Sequence, residues 1–393
     1  MAASRDPVVL LGGTRTAIGS FGGALKDVEA HELGAACIAE SLARAGLQPA
    51  DVDEVVMGQI GQVGADAYNA RRCAITAGIP PESTAMTVNR LCSSGLQAIV
   101  SGAQQLLTDQ ATVVVAGGDE SMSRQPFLEF GGRNGWKLGP RKLIDGTLSM
   151  VTDPFGGYPM GYTAELVADR YGVSRAEQDA FALQSQQRAT AAIDAGHFEA
   201  EILPIQPPKS DPFLIDEHPR RGATLERLAE LRPVFKQDGT VTAGNSSGIN
   251  DGAAAVVMMR ASEADRRGLE PRLALRGWAV SGIEPEIMGY APTRAIPRAA
   301  EKSGVQLGDL DLVELNEAFA AQAVAVIRDT DLDPDRVNAS GGAIALGHPV
   351  GATGAILTVK LMHALERTGG TLGMVTMCVG GGQGMAAIFE RPR

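Results

Sequence analysis

The sequence predicts an α/β fold in which helices cover both faces of a sheet, with two similar halves and an inserted region between them. Strand-like runs rich in Val, Ile and Met alternate with helical stretches, a pattern typical of sheets that are buried on both faces. The alternation recurs toward the C-terminus. The region between the two copies has more Gly and Pro breaks and contains one strong helix.

The first 120 residues contain the alternation in its simplest form. Residues 8–11, 55–60 and 112–117 are apolar runs of strand length. Residues 31–45 and 93–107 have helical composition and lie between those runs. This order predicts strands joined by helices that pack on the sheet.

A second copy of this unit follows in the last third of the chain. The segment that begins at Ala45 aligns with the segment that begins at Ser303, and each is a helix end, a turn and a strand. Two similar halves packed together are the economical interpretation. Chance similarity stays open at this point, because helix-turn-strand units share turn residues. Further matched pairs are Val88 with Val337, and residues 113–118 with 374–381.

The region 121–243 differs in composition from both halves. Gly- and Pro-rich pieces surround a helical segment at 174–195, where Ser174 and Glu177 form a capping box. Long irregular stretches on a rigid scaffold usually bind or cover ligands. We therefore expect a first half at 1–120 plus 244–270, an inserted loop domain at 121–243 and a second half at 271–393.

Composition and charge exclude several classes of protein. The net charge of −11, without a Lys/Arg block, argues against nucleic acid as the main ligand. No apolar run reaches the roughly 18 residues that a membrane span needs. Four widely spaced cysteines, with no Cys-x-x-Cys pair, indicate neither a disulfide framework nor a metal site. With no recognisable signal peptide or C-terminal address, we expect a cytoplasmic protein.

Cys92 lies where an apolar run ends and a helix rich in small residues begins. Unpaired N–H groups and the positive end of the helix dipole stabilise an anion there, so we expect a lowered thiol pKa and a nucleophilic role. A single Cys is otherwise most often a small core residue. A second Cys-Gly turn and a Gly-His-Pro sequence downstream favour the catalytic interpretation.

Three further segments contain residues that complement a nucleophilic thiol. His348 can act as its base, and Cys378 can act as a second base toward a carbon acid. The backbone N–H groups of Cys92 and Gly380 can stabilise an oxyanion. Asn316 lies in the third of these segments. Taken singly, these are simply a loop histidine, a buried thiol and a turn residue. As a set they suit acyl transfer followed by formation or cleavage of a carbon–carbon bond.

Ordered blocks across essentially the whole chain resemble the signatures of the thiolases, which are acetyl-CoA acetyltransferases and 3-ketoacyl-CoA thiolases. The resemblance implies a five-layered αβαβα sandwich of two βαβαβαββ halves with an inserted loop domain. The blocks are residues 89–95, 117–123, 174–195, 216–220, 240–254, 316–319, 341–349 and 378–384.

The same resemblance implies a role for each residue of the catalytic set. An acyl-CoA acylates Cys92, which His348 activates. Cys378 removes the α-proton of acetyl-CoA in condensation and returns it in thiolysis. Asn316 holds a water that forms one oxyanion hole with His348, and the amides of Cys92 and Gly380 form the other.

Coenzyme A thioesters are the implied substrates, with no permanently bound cofactor. Arg220 is expected near the nucleotide end and Ser247 beside the pantetheine arm. A homotetramer or homodimer is expected, with residues 127–141 where tetramerising members carry an exchange loop, and a β-oxidation enzyme is a candidate partner. The implied coenzyme A tunnel consists of Met160, Arg220, Ala243, Ser247, Gly248, Ala318 and Phe319.

Some positions depart from the family pattern or bear on chain length. Asp119 stands where Met is usual, and Arg227 where a small residue is common. Pro159 replaces the His of many biosynthetic members and is commoner in degradative ones, whereas Met288 resembles the residue that closes the acyl pocket of short-chain enzymes. Because a closing side chain discriminates by size, we predict a preference for acetoacetyl-CoA. A medium- or long-chain 3-ketoacyl-CoA thiolase is the alternative.

Two rival functions use the same architecture. A decarboxylating ketosynthase would need one Cys and two His, but the Asn316 block occupies the place of one His and Cys378 is present. An inactive coenzyme-A-binding subunit of a β-oxidation complex predicts a damaged catalytic set. Cys92, His348 and Cys378 are all present, so the active enzyme is favoured.

Overall fold

The computed structural model describes residues 6–392. The first five residues and Arg393, which belong to the predicted ranges 1–120 and 271–393, lie outside the described residues. The first half contains β1 (Val8–Thr16), β2 (Gly19–Ser20), α1 (Ala30–Ala45), β3 (Glu54–Gly58), α2 (Asn69–Thr76), β4 (Thr84–Val88), α3 (Ser94–Leu107) and β5 (Val113–Ser121).

The inserted region lies between the end of β5 at Ser121 and the next long strand, which begins at Asn250. Its predicted helix is present, and so is the predicted capping box, in which Ser174 and Glu177 exchange hydrogen bonds. The elements of this region are β6 (Phe127–Leu128), β7 (Ile144–Asp145), α4 (Gly146–Met150), α5 (Met160–Tyr171), α6 (Arg175–Asp194), β8 (Ile202–Leu203) and α7 (Leu225–Ala229).

The remaining elements complete the first half and form the second. β9 returns to the first half, and α8 leads from it to the second. They are β9 (Asn250–Arg260), α8 (Ala261–Arg267), β10 (Leu273–Gly282), α9 (Pro292–Ser303), β11 (Leu312–Leu315), α10 (Ala320–Asp329), α11 (Ala343–Leu346), α12 (Thr353–Thr368), β12 (Leu372–Val379) and β13 (Gln383–Glu390).

Hydrogen bonds join the strands of both halves into a mixed sheet with the order β11-β12-β13-β10-β1-β9-β5-β3-β4. The junction between the halves is short, since β1 pairs with β10 only at Val9 with Ala274 and Leu10 with Leu273. β3 pairs in parallel with β4 and β5, whereas β9 is antiparallel to β5 and β1. β11 and β4 are therefore the edge strands of this order.

The helices form three layers around these strands. α1 and α2 cover the outer face of the first half, and α9 and α10 cover the outer face of the second. α3 and α12 pack against each other between the two sets of strands, and α12 contacts both β9 and β12. One apolar cluster contains Leu96, Val256, Met362 and Val375, which come from both halves. The αβαβα layering is thus confirmed.

The two halves share local structure as well as layer order. α1 ends at Ala45 with Gly46 in the left-handed region, and α9 ends at Ser303 with Gly304 in the same conformation. Asp53 accepts hydrogen bonds from the N–H groups that open β5, and Asp311 accepts the equivalent pair that opens β12. The predicted duplication is therefore visible down to single hydrogen bonds.

The halves differ at their third strand. In the first half this strand is β4, with five residues, whereas the second half has a single bridge between Val313 and Val337. After this point the first half reaches its central helix within a few residues. The second half instead makes a long connection that contains α11 before α12 begins. The βαβαβαββ order holds in both halves, with this one strand reduced.

β1 is longer than the predicted run 8–11 because its polar end is buried against the inserted region. Arg15 is fully buried and bonds to Glu201 at 2.7 Å and to Asp216 at 2.7 and 2.9 Å. β8 also pairs in parallel with this end of β1. These partners lie about 190 residues away in sequence, where a local pattern cannot reveal them.

Candidate active site

Cys92 lies in the turn between β4 and α3, directly before Ser93, the N-cap residue of α3. Leu91, just before it, has φ of 46°, which is unusual for a branched side chain. The Asn89 side chain accepts a hydrogen bond from the Leu91 N–H at 2.9 Å. The turn therefore places the thiol at the start of the helix, as predicted.

The electrostatics of this thiol differ from the prediction. Burial raises the pKa of Cys92, although the backbone N–H groups of Gly380 and of Cys92 itself donate to the sulfur and oppose the rise. Glu120 raises it further by its charge. The expected lowering of the Cys92 pKa by the helix terminus is thus wrong for the resting protein, because desolvation outweighs the N–H donors. The thiol needs a base.

His348 is the central residue of the Gly-His-Pro turn, shortly before α12, and is buried. Its Nδ1 lies 2.6 Å from the Thr353 hydroxyl, and its Nε2 lies 3.4 Å from Asn316 Nδ2. Its backbone N–H donates to Asn250 Oδ1 at 2.9 Å. Burial lowers the pKa of His348 to about 4, so the ring is neutral near pH 7 and can accept a proton.

The turns of Cys92 and His348 are brought together by the two central helices. A Cβ on Gly95 would lie 2.7 Å from the backbone nitrogen of Ala355, and a Cβ on Gly354 would lie 2.3 Å from that of Leu96. The first turns of α3 and α12 can pack this closely because both positions are glycine. The N-terminal ends of both helices consequently adjoin.

Cys378 lies at the end of β12 and is fully buried. Burial raises its thiol pKa, and the nearby Cys92 raises it further. It packs in a small apolar cluster with Met288 and Ala318, against which Met160 and Phe319 also pack. The second thiol therefore lies beside the first, within an enclosed apolar wall.

Asn316 follows β11 and is fully buried. Its Oδ1 has no hydrogen-bond partner among the residues described, while Gln322 holds its backbone carbonyl at 3.2 Å. A buried amide oxygen without a partner is costly, so this atom marks a place for a water or a substrate group. Gly380 lies close to Leu91 and Met160, because an added Cβ would lie 3.2 Å from Leu91 and 3.3 Å from Met160.

The residues predicted to line the coenzyme A tunnel fall into two groups. Ser247 donates its backbone N–H to the Ala318 carbonyl at 3.0 Å, which ties this segment to the Cys378 cluster. Gly248 packs closely against His218. Ala243 and Arg220 are exposed, and Arg220 is held through its backbone N–H by Gln186. The structure thus joins Met160, Ser247, Ala318 and Phe319, and leaves Arg220 at the surface.

Sequence reasoning missed three polar residues that hold these turns. Glu120 accepts from the N–H groups of Ile60, Gly61 and Gly351, and burial raises its pKa to about 7. Glu317 bonds to Ser185, Asn338 and the N–H of Ile344. The third is Thr353. The available sequence signal for the two acids was an acidic residue shortly after an apolar run of strand length.

Asp119 also has a structural explanation. It is fully buried, bonds to the Asn69 amide at 2.9 and 3.0 Å, and accepts from the Cys73 thiol at 3.2 Å. Burial raises its pKa to about 8. Gly34 leaves the required space, since a Cβ there would lie 2.5 Å from the Asp119 carboxylate. Asp119 therefore belongs to a closely packed cluster that makes its hydrogen bonds.

Comparison with known proteins bears on the whole chain. The family model described as "Thiolase, N-terminal domain" matches residues 8–262, and "Thiolase, C-terminal domain" matches residues 269–391. The chain belongs to the thiolase family. This thiolase is 52% identical to the beta-ketothiolase BktB of Cupriavidus necator over 98% of the chain and 99% of the relative. It is 49% identical to an acetyl-CoA acetyltransferase of Chromobacterium violaceum, over 98% and 100%.

Solved structures agree in fold. The acetyl-CoA acetyltransferase of Bacillus anthracis superposes with a TM-score of 0.96 at 43% identity, over 98% of this thiolase and 99% of that chain. Human mitochondrial 3-ketoacyl-CoA thiolase in complex with CoA gives 0.96 at 45% identity, over 99% and 98%. The thiolase is thus an acyltransferase with the thiolase α/β sandwich. Among residues 6–392, no helix is long and apolar enough to cross a membrane.

Proposed function

We propose that this thiolase is an acyl-CoA:acetyl-CoA C-acyltransferase that works through an acyl group on Cys92. The observation that carries the proposal is that Cys92 lies against the Gly380 N–H and Cys378, at the end of a helix that packs closely on the helix following His348. In the first half-reaction, His348 takes the Cys92 proton and the sulfur attacks the thioester carbonyl. The bond from that carbonyl carbon to the coenzyme A sulfur breaks, and coenzyme A leaves as the thiol with the proton that Cys378 gives up, which leaves Cys378 as a thiolate.

In the second half-reaction, Cys378 removes the α-proton of acetyl-CoA. The resulting carbanion attacks the carbonyl of the Cys92 thioester and a carbon–carbon bond forms. The bond to the Cys92 sulfur breaks, and Cys92 takes back the proton that His348 holds. The product is a 3-ketoacyl-CoA, and thiolysis is the reverse sequence. Burial and the nearby Cys92 raise the pKa of Cys378 and keep it protonated at rest, so it acts as this base after it has given up its own proton.

Two oxyanion sites are proposed for the negative oxygens of these steps. The N–H groups of Cys92 and Gly380 already point at the Cys92 sulfur, so they are placed to donate to an oxygen on the attached carbonyl carbon. A water held by Asn316 would form the other site together with His348, whose Nε2 lies 3.4 Å from the Asn316 Nδ2, and this site would bind the enolate oxygen. The unpartnered Oδ1 of Asn316 supports a bound water at that position.

We propose acyl and acetyl thioesters of coenzyme A as substrates, without a resident cofactor. The tunnel would pass Met160, Ser247, Ala318 and Phe319 toward Cys92, with Arg220 exposed at the nucleotide end. Met288 is nearly buried within the cluster that surrounds Cys378, so it limits the room beside the acylated sulfur. This supports a short acyl group, and acetoacetyl-CoA as the preferred thiolysis substrate.

Self-association is the proposed assembly. β4 has an open edge, and the region around the β6–β7 hairpin exposes the large apolar side chains of Phe127, Phe130 and Trp136. Both surfaces suit contact with further copies of the chain, as in a homodimer or homotetramer. A cytoplasmic location and a β-oxidation partner stay predictions from the sequence.

The decisive experiment separates the two thiols. Cys92→Ala should show no turnover and take up no label from radiolabelled acetyl-CoA, because no thioester can form. Cys378→Ala should still become labelled on Cys92 but lose condensation by at least ~10²-fold, the usual worth of a positioned acid–base group. Labelling of Cys92→Ala would contradict the acyl-carrier role, and normal condensation by Cys378→Ala would contradict the base role.

A further inference from the structure

Thr353 is the first residue of α12 and is buried. Its hydroxyl makes two short contacts, one with His348 Nδ1 at 2.6 Å and one with the Pro349 carbonyl oxygen at 2.9 Å. No resemblance or motif singled out this residue. Its position between the ring and a carbonyl nevertheless bears on which ring nitrogen can act as the base.

Counting protons decides how these contacts are made. A threonine hydroxyl has one proton, and a carbonyl oxygen can only accept. The Thr353 proton therefore goes to Pro349, and the hydroxyl oxygen is left to accept from His348. Nδ1 must then carry the proton of the neutral ring, and Nε2 has the free lone pair.

The other side of the ring agrees with this assignment. Nε2 faces the Asn316 Nδ2 group, which is a donor, at 3.4 Å. A protonated Nε2 would face that donor with a second donor, and Nδ1 would lose its proton toward Thr353. Both neighbours thus favour the same form of the ring.

We infer that Thr353 is a positioning residue that holds His348 in the Nδ1–H tautomer, which leaves Nε2, beside Asn316, to take the Cys92 proton. The inference rests on the proposed role of His348 as the base. Thr353 itself touches no substrate and moves no proton to one. Its effect is to keep the correct nitrogen unprotonated and correctly oriented.

The test measures formation of the acyl-enzyme on Cys92 from radiolabelled acetyl-CoA, together with alkylation of Cys92 by iodoacetamide across pH. Thr353→Val keeps the shape of the side chain but removes the acceptor, so the tautomer is no longer held. Acylation should fall by at least ~10²-fold. Thr353→Ser keeps the hydroxyl and should stay within a few-fold of the unaltered enzyme.

Thr358 provides a matched control on the same helix. It is fully buried and donates to the Gly354 carbonyl at 2.9 Å, with the same four-residue spacing, but it has no contact with a histidine. Thr358→Val should therefore retain acylation. If Thr353→Val fails to fold, Thr353→Ala gives the same test with a smaller side chain. Equal rates for the Thr353 and Thr358 variants would overturn the inference.

A double variant separates this inference from the proposed function. His348→Ala should lower acylation, and adding Thr353→Val to it should lower the rate no further, because Thr353 acts through the ring. If His348→Ala leaves acylation unchanged, the proposed base is wrong. If His348→Ala is impaired and the second change adds its full effect, the base stands and the positioning role of Thr353 fails.

Discussion

The ends of β5 and β12 occupy equivalent places in the two halves. Asp53 bonds to the N–H groups of Thr112 and Val113, and Asp311 bonds to those of Thr371 and Leu372. Counting seven residues on from Thr112 and from Thr371 puts Asp119 in the same place as Cys378. The same strand position is therefore occupied by a buried, hydrogen-bonded carboxyl group in one half and by the proposed base for the α-proton in the other.

The difference arises from what lies over each position. Asp119 is covered by Gly34, Asn69 and Cys73, which fill the space and make its hydrogen bonds. Cys378 is covered by the apolar side chains of Met288 and Ala318, and it lies next to Cys92. The equivalent strand position can thus take a catalytic role in the half where the side chains that cover it are apolar and not polar.

The largest expected effect is on the pH dependence of stability. Burial raises the pKa of Asp119 to about 8, whereas an unfolded Asp has a pKa near ~3.9. Between these values the native state keeps a proton that the unfolded state releases. Stability should therefore fall as pH rises from about 4 to about 8, by up to ~1.4 kcal/mol per pH unit.

Asp119→Asn should remove this part of the slope, because an amide does not titrate. The measurement is the urea midpoint at fixed protein concentration from pH 5 to pH 8. Glu120, which has a raised pKa of about 7, keeps its own contribution in the variant. An unchanged slope would mean that Asp119 is already ionised in the folded protein.

The second expected effect concerns the covering of Cys378. Met288→Ala should open the acyl pocket and raise the rate on 3-ketodecanoyl-CoA relative to acetoacetyl-CoA by roughly tenfold, since removing a packed side chain relieves a steric clash. Thiolysis rates on both substrates provide the ratio. A ratio that does not change, or an unaltered enzyme that already prefers the longer chain, would place the size limit in the inserted region.

The smallest expected effect tests how alike the halves are. Asp53→Ala and Asp311→Ala each remove two hydrogen bonds at an exposed strand start. Each should cost about 1 kcal/mol of unfolding free energy, and the two costs should match. Chemical denaturation of both variants beside Glu199→Ala, a surface control, makes the comparison. Unequal costs would show that the equivalent hydrogen bonds contribute differently to the free energy of unfolding in the two halves.

Much of this architecture was predictable from local patterns. The apolar runs, the left-handed glycines after Ala45 and Ser303, and the turn that carries Cys92 all depend on neighbours in sequence. The layering and the family followed from ordered blocks along the chain. These predictions agree with the described fold.

The failures have a common physical cause. The extension of β1 depends on Glu201 and Asp216, and the pKa of Cys92 depends on how deeply other segments enclose it. The reduction of the third strand to the single Val313–Val337 bridge depends on pairing between two separate segments. Each of these features depends on burial or on partners that are distant in sequence, and a local sequence pattern reveals neither.

The shared central layer also has a consequence for synthesis of the protein. α12 is synthesised after the whole of the first half, yet it packs on α3 and on β9 of that half. Until Thr353 and the residues after it emerge, the nascent chain presents Leu96 and Val256 without their final cover. Because transiently exposed apolar surface is prone to aggregate, we expect the first half to need protection until α12 has been synthesised.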